Sequence, residues 1–249
     1  MALPTLSVQL YSIRDEVAAD LPGALARLAG LGFTQVEPFD LLADPEGLHE
    51  ALEANGLAAP SAHARLDGGA DLDRVFAAAE TVGVRTLIQP FTPPEQWESG
   101  DGVGAVARDL NAATEKAAGR GLRIGYHNHH WELAAAIDGR PALARLVDLL
   151  APEVVLELDT YWAAVGGEDV PGLLGRLGDR VRLLHLKDGP INMDNAQQLP
   201  LGSGAMPVPE ILAAASSAEI GVLEFDDYGG DLFEGLAAGH AFAAEQGVR

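Results

Sequence analysis

Seven histidines, 37 aspartates and glutamates and no cysteine limit the chemistry open to this chain. Without thiols there are no disulfides and no thiolate metal sites. Any metal must be held by imidazole, carboxylate or water. The acids and histidines are not scattered. They recur two residues apart at the ends of short apolar runs: Glu157 and Asp159 in 154–159, His185 and Lys187 in 183–187, Glu224 and Asp226 in 222–226. A spacing of two places both members on one face of a strand, with the leucines between them on the other. His127 and Asn128 end a fourth run, 123–128, and His129 follows it. Gathering carboxylates away from water is costly unless a cation pairs them, and a divalent ion does so directly. Asp159, His185 and Glu224 come from three consecutive runs and can converge on one ion. A fourth ligand from the preceding run or its loop would be His127, His129 or Glu132.

The elements that must position these groups follow from hydrophobic periodicity. The predicted strands are 6–10, 35–39, 59–63, 86–90, 123–128, 154–159, 182–187 and 221–226. Helices are predicted over 21–31, 45–55, 72–82, 103–120, 141–150, 170–177, 208–217 and 232–246. Gly32, Gly56, Gly83, Gly121 and Gly178 stand where helices should stop. Pro45, Pro141 and Pro171 stand near helix starts, where a missing N–H does no harm. The hairpin dipeptides Asn55-Gly56 and Asp138-Gly139 are assigned to helix ends or loops. Strand and helix alternate eight times, which predicts an α/β fold, a (β/α)8 TIM barrel, as one domain over 1–249. The first strand leads into Tyr11-Ser12-Ile13-Arg14-Asp15 and carries no glycine-rich phosphate loop, so an open dinucleotide-binding sheet is not expected. The segment 189–207 reads as a functional loop at the strand ends.

In such a barrel the reacting groups sit at the C-terminal ends of the strands. Reading those ends adds Gln9, Glu37, His63 and Gln89 to the residues above. Asp188, Asp226 and Asp227 fit helix N-caps equally well. Trp131 and Trp162 suit either packing or an aromatic wall for a sugar face. The net charge of −21 repels phosphate backbones, so nucleic acid is not an expected partner. The start of the chain does not read as a signal peptide, and no apolar run reaches the ~20 residues that span a bilayer. A cytoplasmic location without membrane attachment is expected, with a homodimer as the base-rate assembly.

Five segments in order carry a resemblance: 125–132 (GYHNHHWE), 158–163 (LDTYWA), 184–188 (LHLKD), 200–204 (PLGSG) and 223–226 (LEFD), together with 8–14 (VQLYSIR) at the start. They resemble the sugar phosphate isomerase/epimerase family with a xylose isomerase-like TIM barrel, the group that includes inosose dehydratases and ketose 3-epimerases. The resemblance runs over nearly the whole chain and leaves the substrate open. It implies one divalent ion (Mn, Mg, Zn or Co) held by an acid on or after the fifth strand and by Asp159, His185 and Glu224. Epimerases of the family carry a glutamate within the fifth strand, where this chain has His127. The expected fourth ligand is therefore Glu132, with His127 next to the substrate; the reverse assignment is the alternative. DNA-repair endonucleases share the barrel but need further ligands and a basic groove, which the acidic balance opposes.

The expected chemistry is proton abstraction next to a carbonyl, with a metal-stabilised enediolate, on a small sugar or cyclitol. Glu224 is the expected base, with His127, His63 or Glu157 as the second proton-transfer group. Lys187 would neutralise developing charge. Gln9, Glu37, His63, Gln89, His129 and Trp162 are expected to bind substrate. Isomerisation, epimerisation or loss of water would follow from where the proton returns, so a dehydratase or lyase of keto-sugars or inososes is the alternative outcome. The rival readings are a Schiff-base lyase using Lys187, a glycosidase using Glu157 and Glu224, and a non-catalytic sugar-binding protein. No lysine or arginine lies between 190 and 241, which points to an unphosphorylated substrate.

Overall fold

The computed structural model describes residues 3–248. The strands are β1 (Thr5–Val8), β2 (Ser61–His63), β3 (Thr86–Gln89), β4 (Arg123–His127), the short β5 (Ala136–Ile137) and β6 (Arg140–Pro141), β7 (Val155–Asp159), β8 (Val181–Leu186) and β9 (Ile220–Leu223). The helices are α1 (Arg14–Gly30), α2 (Pro45–Ala54), α3 (Leu72–Val82), α4 (Gly100–Ala117), α5 (Trp131–Ala134), α6 (Ala142–Leu149), α7 (Thr160–Val165), α8 (Val170–Leu177), α9 (Val208–Ala214) and α10 (Leu232–Glu245).

Seven strands form one parallel sheet in the order β1-β9-β8-β7-β4-β3-β2. The eighth position is filled by residues 35–37. Gln35 bridges Ala58 and Glu37 bridges Gln9, both in parallel. Glu37 donates its N–H to Val8 O at 2.8 Å, and Val36 donates to Ala58 O at 2.9 Å. This segment joins β1 to the approach to β2 and closes the TIM barrel. The strand expected over 35–39 is thus shortened to isolated bridges. Pro38 has no N–H to donate, and only its carbonyl still pairs, accepting from His63 N at 2.8 Å.

The interior of the barrel is layered. Ile88, Val155, Leu183, Ile220 and Val222 form a small apolar cluster apart from the main core. Gly125 faces the same layer: a Cβ there would lie 2.5 Å from Ile88 Cδ1 and 3.1 Å from Val155 Cγ2. One turn of alternation further along the strands, the inward positions become polar. His127, Glu157, Asp159, His185 and Glu224 all lie on this side, each at most 6% exposed. The larger apolar core sits between the sheet's outer face and the helices.

Three local features depart from the sequence reading. Asp138-Gly139 turns a two-residue hairpin between β5 and β6, with φ of 52° and 77°. Two successive left-handed residues suit the tight antiparallel turn that Asp-Gly favours, so the flanking residues pair after all. Short helix α7 starts directly after β7, and short helix α5 starts at Trp131, a few residues after β4, where loops were expected. The helix expected over 21–31 begins earlier, at Arg14, and is interrupted at Asp20 (φ −157°, ψ 82°), whose side chain accepts from Gly23 N at 3.0 Å. Asp20 therefore caps the segment that the sequence does predict.

Candidate active site

The polar layer has two tiers. In the lower tier Glu37 is fully buried and accepts from Gln9 Nε2 at 3.0 Å and from Ser61 Oγ. Glu157 Oε2 lies 2.7 Å from His63 Nε2, 3.1 Å from His127 Nδ1 and 3.1 Å from His185 Nε2. His185 Nε2 is also 2.8 Å from Glu37 Oε1. In the upper tier Lys187 Nζ lies 2.9 Å from Asp159 Oδ2, 2.7 Å from Glu224 Oε2 and 2.9 Å from Asp226 Oδ2. His185 joins the tiers: its Nδ1 is 2.6 Å from Glu224 Oε2.

Asp159 owes its position to the turn it starts. Its Oδ1 accepts from Trp162 N at 2.8 Å and caps α7, which fixes the carboxylate and leaves Oδ2 to the site. Asp188, Asp226 and Asp227 cap no helix; α10 is capped by Asp231. Asp188 instead accepts the backbone N–H groups of Gly189, Gly202, Gly204 and Met206 at 2.8–3.0 Å. It gathers the loop that follows β8. A Cβ on Gly204 would lie 2.2 Å from Asp188 Oδ1, which explains the glycine there. The same loop brings Gln198 to Asp226: Gln198 Nε2 donates to Oδ2 at 2.7 Å, and Asp226 N donates to Gln198 Oε1 at 2.9 Å.

Burial opposes every charge in this layer, and neighbours decide which survive. Burial alone would raise Glu37, Glu157 and Glu224. His63 and His185 beside Glu37, the histidines around Glu157, and Lys187 with His185 beside Glu224 bring all three below the usual carboxylate range. For Asp159 burial wins over Lys187 and His185, and its pKa is pushed up to about 6. Burial would lower His63, yet Glu37 and Glu157 lift it to about 9. Burial likewise opposes the charged forms of His185 and Lys187. Glu157 and Glu224 hold His185 well above its usual range, and Asp159, Asp226 and Glu224 do the same for Lys187. His127 goes the other way, held well below by burial and the charge on His185. A neutral His127 that donates Nδ1–H to Glu157 turns a lone pair on Nε2 towards Asp159 Oδ2, 3.7 Å away.

Asp159, His185 and Glu224 present ligand atoms that lie within 4.8 Å of one another, and so do His63, His127, Glu157 and His185. Two buried carboxylate oxygens, Glu157 Oε1 and Asp159 Oδ2, have no hydrogen-bond partner among the described residues. Asp159 Oδ2 is within ion-pair distance of Lys187 Nζ at 2.9 Å and of His127 Nε2 at 3.7 Å. A buried anionic oxygen without a hydrogen bond is a position that a cation satisfies. Glu37, by accepting Nε2–H of His185, leaves Nδ1 as the ligand nitrogen, the arrangement in which a carboxylate orients a metal-bound histidine. The donor set therefore fits a divalent ion.

The other expected residues are placed as follows. His63 and His129 line the mouth with Tyr11, Phe39, Phe91, His127, Glu224 and Asp226 around a cavity of about 350 Å³. His129 stacks on Trp131 (4.4 Å, 6°), and burial together with Lys187 lowers it to about 3. Trp162 is buried, its ring 5.7 Å from Lys187 Nζ. Gln9 and Glu37 lie beneath the cluster. Gln89 is out of phase with the inward Ile88 and serves the loops: it accepts from Leu66 N at 2.5 Å and donates to Phe91 O at 2.6 Å. Glu132 lies outside both ligand groups. Its Oε1 accepts from Tyr126 Oη at 2.6 Å and its Oε2 from His129 N at 2.9 Å. Burial raises Glu132 to about 7. Tyr11, Phe39 and Phe91 were not singled out in the sequence. Each stands just past a strand end, and that position was the available signal.

Comparison with known proteins agrees with this architecture. An inosose dehydratase of Mesomycoplasma hyopneumoniae (strain 7448) is 27% identical over 115 residues, which are 46% of this chain and 37% of that protein. The chain thus matches little more than a third of that relative's length. The crystal structure of a sugar phosphate isomerase/epimerase from Parabacteroides distasonis ATCC 8503 superposes with a TM-score of 0.81 at 26% identity, over 97% of this chain and 94% of that one. The crystal structure of the IOLI protein, which holds a zinc atom, shares the fold at a TM-score of 0.72 and 12% identity, over 97% of each chain. Residues 10–238 match the family of xylose isomerase-like TIM barrels, and the chain belongs to that family.

Proposed function

We propose that this chain is a divalent-metal-dependent isomerase or epimerase of a small sugar or cyclitol, working by proton abstraction next to a carbonyl. The observation that carries this reading is the convergence of Asp159, His185 and Glu224, with Asp159 Oδ2 held only by charge contacts to Lys187 and His127, beside a sugar-sized well. These three residues would hold the ion. We take His127 ahead of Glu132 as the fourth ligand, because both oxygens of Glu132 already accept hydrogen bonds. Bound there, a divalent ion would supply Lewis-acid polarisation of a substrate carbonyl.

The chain's own residues supply the proton handling. Glu224 lines the mouth and is held ionised, so it can accept a proton from carbon at the well's wall. His63, which also lines the mouth, is held protonated and can return one. Lys187 stays cationic and anchors Asp159, Glu224 and Asp226 in place. That same protonation makes Lys187 a poor nucleophile, which disfavours the Schiff-base reading.

A second reading, loss of water from a keto-sugar or inosose, shares the first proton transfer. The inosose dehydratase relative favours it. Both readings predict that, with Mn²⁺ or Zn²⁺ in D₂O, solvent deuterium enters the carbon next to the carbonyl of a ketose or ketocyclitol. Proton NMR of the recovered sugar and product reads this. Turnover with no deuterium at that carbon would contradict the proposal.

A further inference from the structure

Beside the central well lies a second groove of about 400 Å³. The two share Phe39 and His63, so they open into each other across the ring of Phe39. Each is at the small end of the ~300–1,000 Å³ range of small-molecule sites, and the well alone suits a single ring. The groove is polar where it faces outward. Asp40, Arg65, Asp71 and Arg74 line it. Neither Asp40 nor the Arg74 guanidinium has a hydrogen-bond or ion-pair partner among the described residues, although the chain as a whole is rich in surface ion pairs. A carboxylate acceptor and a forked guanidinium donor are the groups that pair with adjacent hydroxyls. Phe39 is held edge-on by Tyr11 at 5.5 Å and 89°, which presents a fixed aromatic surface at the junction.

We propose that this groove is a second sugar subsite and that the substrate is a two-unit glycoside. The keto unit would occupy the well and a neutral glycosyl unit the groove. The inference rests on the proposed carbonyl chemistry and names its substrate class. Charge argues for a neutral unit. Arg65 is paired with Asp67 at 2.6 Å, and the groove's lining holds Asp40 and Asp71 as well as Arg74, so a phosphate would find no surplus of positive charge. The other large groove at the mouth, of about 420 Å³, meets the well only at Phe91, and its Gln89 is committed to backbone groups. It offers a second ring less.

The test compares a keto-glucose with the same keto-glucose carrying a second glucosyl unit, using metal-loaded protein. The expected result is a kcat/KM about tenfold higher for the glycoside, the scale of one charged hydrogen bond. Arg74→Ala and Asp40→Ala should remove that advantage through KM and leave the keto-glucose unchanged. Equal kcat/KM for the two substrates, or a loss in Arg74→Ala that falls equally on both, overturns the subsite and leaves the carbonyl chemistry standing. Calorimetry with cellobiose, maltose and glucose gives a readout that needs no turnover. Tighter binding of a disaccharide than of glucose, weakened by Arg74→Ala, upholds the subsite even if neither keto-sugar reacts, in which case the fault lies with the proposed reaction. Failure of both disaccharides to bind more tightly than glucose overturns it.

Discussion

Glu132 and Asp159 are both buried acids, yet their surroundings give them different work. Asp159 has one oxygen committed to a helix cap and one left to the site. Both oxygens of Glu132 are committed, to Tyr126 and His129, and no cationic side chain is paired with it among the described residues. Its pKa of about 7 stands above the ordinary 4.5 because burial disfavours the charged form. The consequence for stability has a definite sign. Below about pH 4.5 the folded and unfolded chains both hold this proton and nothing is lost. Between 4.5 and 7 the unfolded chain releases it while the fold retains it, so stability falls as pH rises. Above 7 the loss is constant. Glu132→Gln removes the titration while losing one acceptor for His129 N. In metal-free protein, the stability of Glu132→Gln relative to wild type should therefore rise by on the order of 2 kcal/mol between pH 4.5 and 7.5. Urea unfolding across that range measures it, and a difference that does not change with pH would contradict the assignment.

At the scale of elements, the loop after β8 shows how one residue supports the site from a distance. Asp188 accepts four backbone amides and so shapes the segment that carries Gln198. Gln198 in turn holds Asp226, and Asp226 holds Lys187. Removing the carboxylate with Asp188→Ala should cost about 2–4 kcal/mol, because several amides lose a buried acceptor together. Urea titration reads the loss, and activity should fall as Asp226 loses its support. An unchanged midpoint would show that the loop does not depend on Asp188. The sequence reading expected either a cap or a site residue here. The sequence holds Asp188 and the PLGSG segment more than ten residues apart, and only the chain's return brings them together. The strand-end groups of the site are different. Glu157, Asp159, His185 and Glu224 were legible because alternation and barrel topology between them fix both face and end. Gln89 was misplaced by one residue of phase: a short strand leaves its register open, and Ile88 takes the inward side. The strand at 35–39 and the hairpin at Asp138-Gly139 were misjudged for a similar reason, since a few residues carry too little periodicity to outweigh a proline or a turn signal.

For the whole molecule, the excess of 37 acidic over 16 basic residues sets a different kind of constraint. Like charges spread over a compact surface repel, and salt screens that repulsion within a Debye length of about 10 Å at 0.1 M. Raising NaCl from low concentration to about 0.5 M should therefore raise the melting temperature by several degrees. A melting temperature that falls with salt would mean that surface ion pairs such as Arg123–Glu219 and Arg140–Asp148 outweigh the net repulsion. The barrel itself was legible from repetition alone, because eight alternations of strand and helix leave few other closures. What repetition does not encode is which mouth residues meet, and the grooves around Phe39 and Phe91 are properties of the folded rim.

The central claim is that Asp159, His185 and Glu224 hold a divalent ion, and elemental analysis of the purified protein tests it most directly. Wild type exposed to Mn²⁺ or Zn²⁺ and then desalted should retain about one ion per chain, and an Asp159→Ala/His185→Ala variant should retain none. Equal metal content in the two proteins, or none in the wild type after reconstitution, would contradict the account.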